Sequence, residues 1–507
     1  MNSNQLFLSS RPSGRAGGRR IRRLSRRRFL LACCAALILW LAAVAIYQTH
    51  KPLPPGISYE SPVYRVQNLN FLYDLTYPDG SPDGAQESRI LPRMLEMIEE
   101  SREFLVVDLF LFNDYTHKDQ TFPQVSALLA DKLIAHKQNH PGMDIVFITD
   151  EVNTNYGSAP NPLLERMTTA GIPVVVTDVD ALRDSTPLYS AVWRTFIQWF
   201  GQSGRGGLPN LMASGGPDIT VRSYLKLLNV KANHRKLLVS EKGALVSSGN
   251  VHDASAYHSN IAFEVTGPVI ADMVETERAA AALSGGSPAL EALNRIAGKA
   301  DSLPQDTGGD IEVRYLTEGA IYRRLLADLA EAGAGDTVWI GMFYLADDKV
   351  TGELLRAADR GADVRLVLDP NQNAFGRDKI GIPNRPVAMD LHNRSDGAVR
   401  IRWYNTTQEQ YHTKLMFIAK AKGPSILLGG SANFTPRNLD DYNLENNLWA
   451  SFPKEQLVHG ELVAYFNRLW NNTDADYTLP FEAYQSEYTW LKYAVFRLQN
   501  LLGFTTF

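Results

Sequence analysis

One constellation of chemistry-bearing residues occurs twice in this chain, each time inside the same local pattern. The first copy reads Asn233-His234-Arg235-Lys236, continues apolar to Ser240, turns at Glu241-Lys242-Gly243 and returns from Ala244 to Ser248-Gly249-Asn250. The second reads Tyr411-His412-Thr413-Lys414, continues apolar to Ile418, turns near 420–424 and returns from Ser425 to Ser431-Ala432-Asn433. Apolar run, polar turn with glycine, apolar run predicts a β-hairpin. Along a strand, side chains i and i+2 share a face about 6.5–7 Å apart. His234 and Lys236 therefore flank one small site, as do His412 and Lys414. The returning strands bring Ser248 with Asn250, and Ser431 with Asn433, as hydroxyl and amide donors. Imidazole, ammonium and amide converging on one point suit a phosphate. The cations neutralise its oxygens while a histidine attacks phosphorus or protonates the leaving oxygen. A single His-x-Lys is ordinarily a solvated strand face; two copies with the same return are not.

The duplication extends beyond the hairpins. An apolar strand from Phe104 to Phe112 precedes a helical pattern around 123–137 and a strand ending in Asp150. In the second half the apolar run from Val338 to Leu345 precedes a helix around 350–360 and a strand ending in Asp369. Near-continuous apolar strands alternating with helices predict largely parallel sheets covered by helices. The expected organisation is a first half over 60–283, a Gly/Ser/Pro/Asp-rich linker over 284–310 and a second half over 311–480. Asp150 lies 84 residues before His234, whereas Asp369 lies 43 before His412, so the first half carries an insertion of about 41 residues within 180–225. Trp193, Phe196, Ile197, Trp199 and Phe200 in it form one helical face, expected either as core or as a lid or lipid-dipping surface. The segment 481–507 is expected to hold an amphipathic helix. Trp490, Leu491, Ala494, Val495, Leu498 and Leu501 recur at helical spacing, for docking on the body or lying on a membrane.

Charge is segregated along the chain. Residues 1–28 hold nine arginines and no acid, and the formal net charge of −4 leaves 42 basic against 55 acidic side chains, a net of −13, for the remainder. A body that acidic is a poor general binder of nucleic acid. Residues 29–47 are 19 residues without a charge, close to the length that crosses a bilayer core about 30 Å thick. Arginines on the N-terminal side keep 1–28 cytoplasmic and send the body across, which predicts a single-pass membrane protein with its body on the far side. The alternative is a cleaved signal. Ser25-Arg26-Arg27-Arg28-Phe29-Leu30 resembles the twin-arginine motif, and Ala43-Val44-Ala45 offers a cleavage site. The two cysteines, Cys33 and Cys34, are adjacent inside this run, so the body has no thiol chemistry and no structural disulfide.

The two hairpins resemble the paired HxKxxxxD motifs and GSxN tails of the phospholipase D superfamily, over most of 90–480. Gly430-Ser431-Ala432-Asn433, Arg437 and Asn443-Leu444-Glu445 are most similar to its bacterial cardiolipin-synthase-like branch. The resemblance implies two similar α/β/α halves sharing one active site, a phospholipid substrate such as phosphatidylglycerol, a phosphohistidine intermediate, and no metal or organic cofactor. It gives His234 as nucleophile and His412 as acid and base by the usual order, although the near-symmetry of the motifs leaves that assignment open. Lys236, Lys414, Asn250 and Asn433, with Ser248 and Ser431, would hold the phosphate. Each histidine also needs a carboxylate to fix its tautomer. The family draws it from about thirty residues downstream, where Glu264 and Glu445 lie, with Asp253 a competitor for Glu264. The motif aspartate is replaced by Glu241 and by Ala419, at the hairpin turns, and Ser247 stands for the first glycine of GSxN. The remaining histidines, His252 and His258 among them, have no ligand-like partners. The function implied is phosphatidyl transfer to an alcohol, with hydrolysis to phosphatidic acid as the alternative. A nuclease or a non-catalytic lipid-binding scaffold is disfavoured by the anchor, the acidic body and the two intact motifs.

Overall fold

The computed structural model describes residues 26–79, 84–285, 288–304, 308–374, 377–487, 490–502 and 505. Most of the arginine-rich segment, 1–25, lies outside them. Two mixed sheets, of eight and nine strands, form the body. In the first, Phe104–Leu109 pairs in parallel with Asp144–Asp150 on one side and antiparallel with the hairpin strand Lys236–Ser240 on the other. The second repeats this with Thr337–Met342, Asp363–Leu368 and Lys414–Ala419. The hairpins close with Ala244–Ser247 and Ser425–Gly430. Helices Val125–Asn139 and Asp348–Asp359 cross over the parallel pairs where the sequence pattern placed them.

The sheets are not largely parallel. Each has only two parallel pairings, and the others are antiparallel. The apolar runs report burial on both faces, and direction does not follow from that. Outer faces are covered by helices, while the inner faces of both sheets share one core that contains Val106, Leu237, Val246 and Phe263 with Leu415, Phe417, Leu427 and Leu448. The sheets approach so closely that a Cβ on Gly429 would lie 2.6 Å from the Phe263 ring. Such close packing excludes water from the strand ends where the two hairpins meet.

Other segments cross the expected divisions. The strand Tyr64–Val66 pairs with Ile311–Thr317 of the second sheet. Within 284–310, read as a linker, Pro288–Ala300 is a helix burying Ala292, Leu293 and Ile296 in the shared core. Its i, i+1, i+4 apolar spacing is compatible with packing despite the flanking glycines and prolines. The C-terminal helix Trp490–Leu502 docks on the body. Phe496 is buried in the second half's outer core and Arg497 pairs with Asp348 at 2.9 Å. The described side chains of that helix leave Leu491 and Leu498 outside, and those of Trp490 and Leu501 lie outside the described set.

One fully buried ion cluster ties the halves together. Arg235 donates to Glu277 (3.1 Å) and the Thr276 carbonyl (3.0 Å) in the first half, and to Glu318 (2.7 Å) in the second. All three charged side chains are inaccessible. Removing one partner of such a cluster leaves uncompensated charge. Arg235→Met is therefore expected to lower the stability of the full chain by about 3–5 kcal/mol in denaturant unfolding.

Candidate active site

The backbone around each motif histidine is pinned by both halves. Asp150 and Asp369 end equivalent strands, and each accepts the N–H of the residue before a histidine. Asn233 donates to Asp150 Oδ2 and Tyr411 to Asp369 Oδ2, both at 2.7 Å. Burial pushes both carboxyls up to about 7, against the hydrogen bonds that favour their ionised forms. The histidine N–H groups point the other way. His234 donates to the Leu444 carbonyl and His412 to the Ser259 carbonyl, each at 2.8 Å and each across the boundary between halves. The site is thus built where two chain segments bridge in parallel, Asn233 with Leu444 and Ser259 with Tyr411.

Side chains repeat the symmetry. Lys236 and Lys414, both inaccessible, donate to the carbonyls of His234 (2.7 Å) and His412 (2.8 Å). Phe110 and Phe343, the residues just past equivalent strands, lie against the imidazoles at centroid distances of 4.8 and 5.0 Å and beneath the two ammonium groups. Burial lowers Lys236 to about 7 and Lys414 well below its ordinary range. Each lysine also lowers the other copy's histidine, so the two motifs share one electrostatic site. Two lysines and two imidazoles held away from water make a buried site in which their protonated forms are disfavoured, and the negative charge of a phosphodiester would favour them.

The symmetry breaks at one atom pair. His234 Nδ1–H donates to Glu445 Oε2 at 2.9 Å, whereas His412 Nδ1–H donates to the amide oxygen of Asn260 at 3.1 Å. Asn260 and Glu445 are structural equivalents. Ser248 and Ser431 hydroxyls donate to them, and the N–H of the following residue, Ile261 or Asn446, returns a bond of 2.9 Å to each serine. Glu445 is further held by Asn438, while its own N–H donates to Glu318 at 3.0 Å. Burial brings His234 down to about 4 with Glu445 opposing the fall; burial takes His412 well below the imidazole range, and Lys414, His258 and Lys236 add to the fall.

Residues 325–470 match the family model described as "Cardiolipin synthase, PLD-like domain". Over that segment the chain is similar to the phospholipase-D-like domains of cardiolipin synthases. A phosphatidylserine synthase from Haemophilus influenzae Rd KW20 has the same fold, with a TM-score of 0.53 at 11% identity, covering 92% of this chain and 97% of that one. A polyphosphate kinase from Porphyromonas gingivalis is similar with a TM-score of 0.40 at 13% identity, over 86% of this chain and 53% of that one. A phospholipase D family member from Salmonella typhimurium follows at 0.26 and 18%, over 32% and 95%. No sequence among the curated proteins matches the chain.

Of the phospholipase D residues expected from sequence, His234, Lys236, His412, Lys414 and Glu445 come together. Asn433 lies buried beside them with its Oδ1 unpartnered, and Asn250 accepts from the Leu111 N–H at 3.4 Å. Glu264 does not join them. Its strand position turns it outward to Arg93 at 2.8 Å, and Asp253 instead holds Ser126. Glu445 serves the histidine of the opposite copy, so a downstream carboxylate is not a partner to its own motif. Ser248 and Ser431 are inaccessible and orient Asn260 and Glu445, so their hydroxyls are not free for phosphate. The departures at the motif aspartate have a structural account. Glu241 accepts from the Arg102 N–H (2.8 Å) at the start of a strand, and in the second copy Asp336, at the start of the equivalent strand, accepts from Ala421 (2.8 Å) in the turn. Asn260, Glu318, Phe110 and Phe343 were missed, as was His258, whose ring lies 5.9 Å from that of His412. Only the hairpin alignment of Asn260 with Glu445 could have signalled the first of these.

Asn260→Asp adds a carboxylate at His412 Nδ1 and must raise its pKa, since an opposite charge favours imidazolium. The alkaline limb of the pH–rate profile is expected to move to higher pH, in near-isosteric protein. Glu445→Gln removes the carboxylate from His234 and should lower turnover by about 10²-fold or more with binding little changed.

Proposed function

We propose that the protein is a membrane-anchored phosphatidyltransferase of the cardiolipin-synthase kind, acting through a phosphohistidine on a phospholipid such as phosphatidylglycerol. The observation that carries this reading is the pair of His-Lys sites, one histidine backed by a carboxylate and the other by an amide, in one water-poor pocket. Glu445 fits His234 for the nucleophile's role. Attack by Nε2 on phosphorus leaves a cationic ring, and a carboxylate on Nδ1 compensates it. The P–O bond to the leaving alcohol breaks as His412 Nε2 gives that oxygen its proton. The acceptor alcohol then loses its proton to His412, attacks phosphorus and displaces His234. Lys236 and Lys414 balance the phosphoryl oxygens throughout, and the substrate's negative charge supports the protonated form of His412 at the start.

The helix Arg26–His50 is long and apolar enough to cross a membrane, with none of its residues buried. As an anchor with its arginines inside, it would hold the body at the outer face of the bacterial inner membrane, beside the lipid substrate.

The test is incubation of the full chain with phosphatidylglycerol vesicles, with and without added glycerol. Diphosphatidylglycerol is the expected product; phosphatidic acid alone would make the protein a hydrolase, and no turnover would overturn catalysis. His234→Asn and His412→Asn should each abolish product. Acid-labile phosphate is expected on His234 in the His412→Ala chain, and its appearance on His412 in the reciprocal His234→Ala chain would reverse the roles.

A further inference from the structure

The insertion does not close into the core. It runs back along the apolar helix. The N–H of Asp184 donates to the Gln48 carbonyl at 3.1 Å, and eleven residues later Thr195 Oγ accepts from Trp40 Nε1 at 3.2 Å. The segment therefore travels antiparallel to the anchor, from its body end at residue 48 to a level eight residues deeper, about 12 Å along the axis. Pro187–Val192 is α-helical and packs on the apolar helix, in which Leu41, Val44, Ala45 and Gln48 are partly covered, and Trp193–Ile197 follows as a π-helical turn.

What this segment shows to the outside is apolar. Trp193 is buried, but Leu188, Phe196, Trp199 and Phe200 are 67%, 47%, 75% and 69% exposed. The side facing inward is polar and fixed. Arg194 pairs with Asp184 at 2.6 Å, and the buried Lys231 Nζ reaches Asp184 at 3.0 Å, three residues ahead of His234. Residues 185–217 contain no aspartate or glutamate, in a body that is otherwise strongly acidic. Exposed aromatics would be costly in water, and a patch of this kind marks a surface that is covered by something apolar.

We infer that residues 187–200 form a second membrane element that lies beside the anchor and enters the outer leaflet, with Trp199 and Phe200 among the acyl chains about 10 Å below the headgroups. This rests on the reading of Arg26–His50 as a membrane span. If the apolar run 29–47 fills the hydrocarbon, Trp40 sits seven residues, about 10 Å, inside its outer boundary. Trp199 and Phe200 follow the residue that touches Trp40, a depth typical of interfacial helices. The absence of acids removes repulsion from anionic lipid. Through Asp184 and Lys231 the element is coupled to the strand that carries His234, so it fixes the height of the active site above the bilayer.

The experiment uses the full chain with Cys33→Ser and Cys34→Ser, reconstituted in phosphatidylcholine–phosphatidylglycerol vesicles. An environment-sensitive fluorophore is attached at Trp199→Cys, with Leu188→Cys as a second probe in case one position perturbs the fold. Ile38→Cys reports the anchor and Leu457→Cys the aqueous surface. Acyl chains brominated at mid-chain are the quencher. Expected is a blue shift and loss of emission at 199 and 188, with 457 unaffected. Water-like, unquenched emission at 199 and 188 with quenching retained at 38 would overturn the inference and leave the anchor standing. Water-like emission at 38 as well would overturn the anchor reading, and the inference with it.

Discussion

The interaction on which the rest depends is the exchange across the boundary between the halves. Each motif histidine takes its backbone partner and its Nδ1 acceptor from the half it does not belong to, His234 from Leu444 and Glu445, His412 from Ser259 and Asn260. Neither half can position its own imidazole. The inner faces of both sheets must therefore be held in contact, which the common core does by burial and the Arg235 cluster by directed bonds. The cluster contributes more to register than to net stability, because desolvating three charges offsets much of their attraction.

Glu318 shows how tightly that register is specified. It accepts from Arg235, from the Ser58 N–H and from the N–H of Glu445, and its backbone adopts φ +45°. A glutamate in that conformation is strained, and the strain persists because three partners over-determine the position. The chain linking Arg235, Glu318 and Glu445 runs to His234 itself, so the buried ion cluster and the reactive ring form one bonded path. Low local dielectric strengthens each of those bonds and makes any broken one costly.

Within this frame the two copies have diverged at the residue that decides charge. An aspartate or glutamate at 260 would have given both rings a carboxylate; the amide leaves a single negative charge between two histidines and two lysines. In the proposed reaction a phosphodiester would complete the balance, which would couple protonation of His412 to substrate binding without any moving part.

Much of this was legible in the residues. The hairpins, the parallel strand pairs with their crossover helices, the strand-ending Asp150 and Asp369 and the four reactive side chains follow from alternation, burial pattern and spacing, which are local properties of a strand. Strand direction was not, because an apolar run reports that both faces are covered and says nothing of what runs beside it. The role of Glu264 was misread for a similar reason. Counting residues downstream places a carboxylate on a strand, but which face it occupies and which half it serves depend on register. The serines were read as phosphate donors because their hydroxyls have the chemistry, yet packing directed them at Asn260 and Glu445. Sequence by itself determined the duplicated units, the apolar helix and the residue types gathered at the candidate site, since these rest on residue type and period. Only the tertiary structure decided that the carboxylate crosses between halves, that one histidine has an amide instead, and that the insertion runs back along the apolar helix. Those are contacts between residues 152 to 211 positions apart, and no local period encodes them.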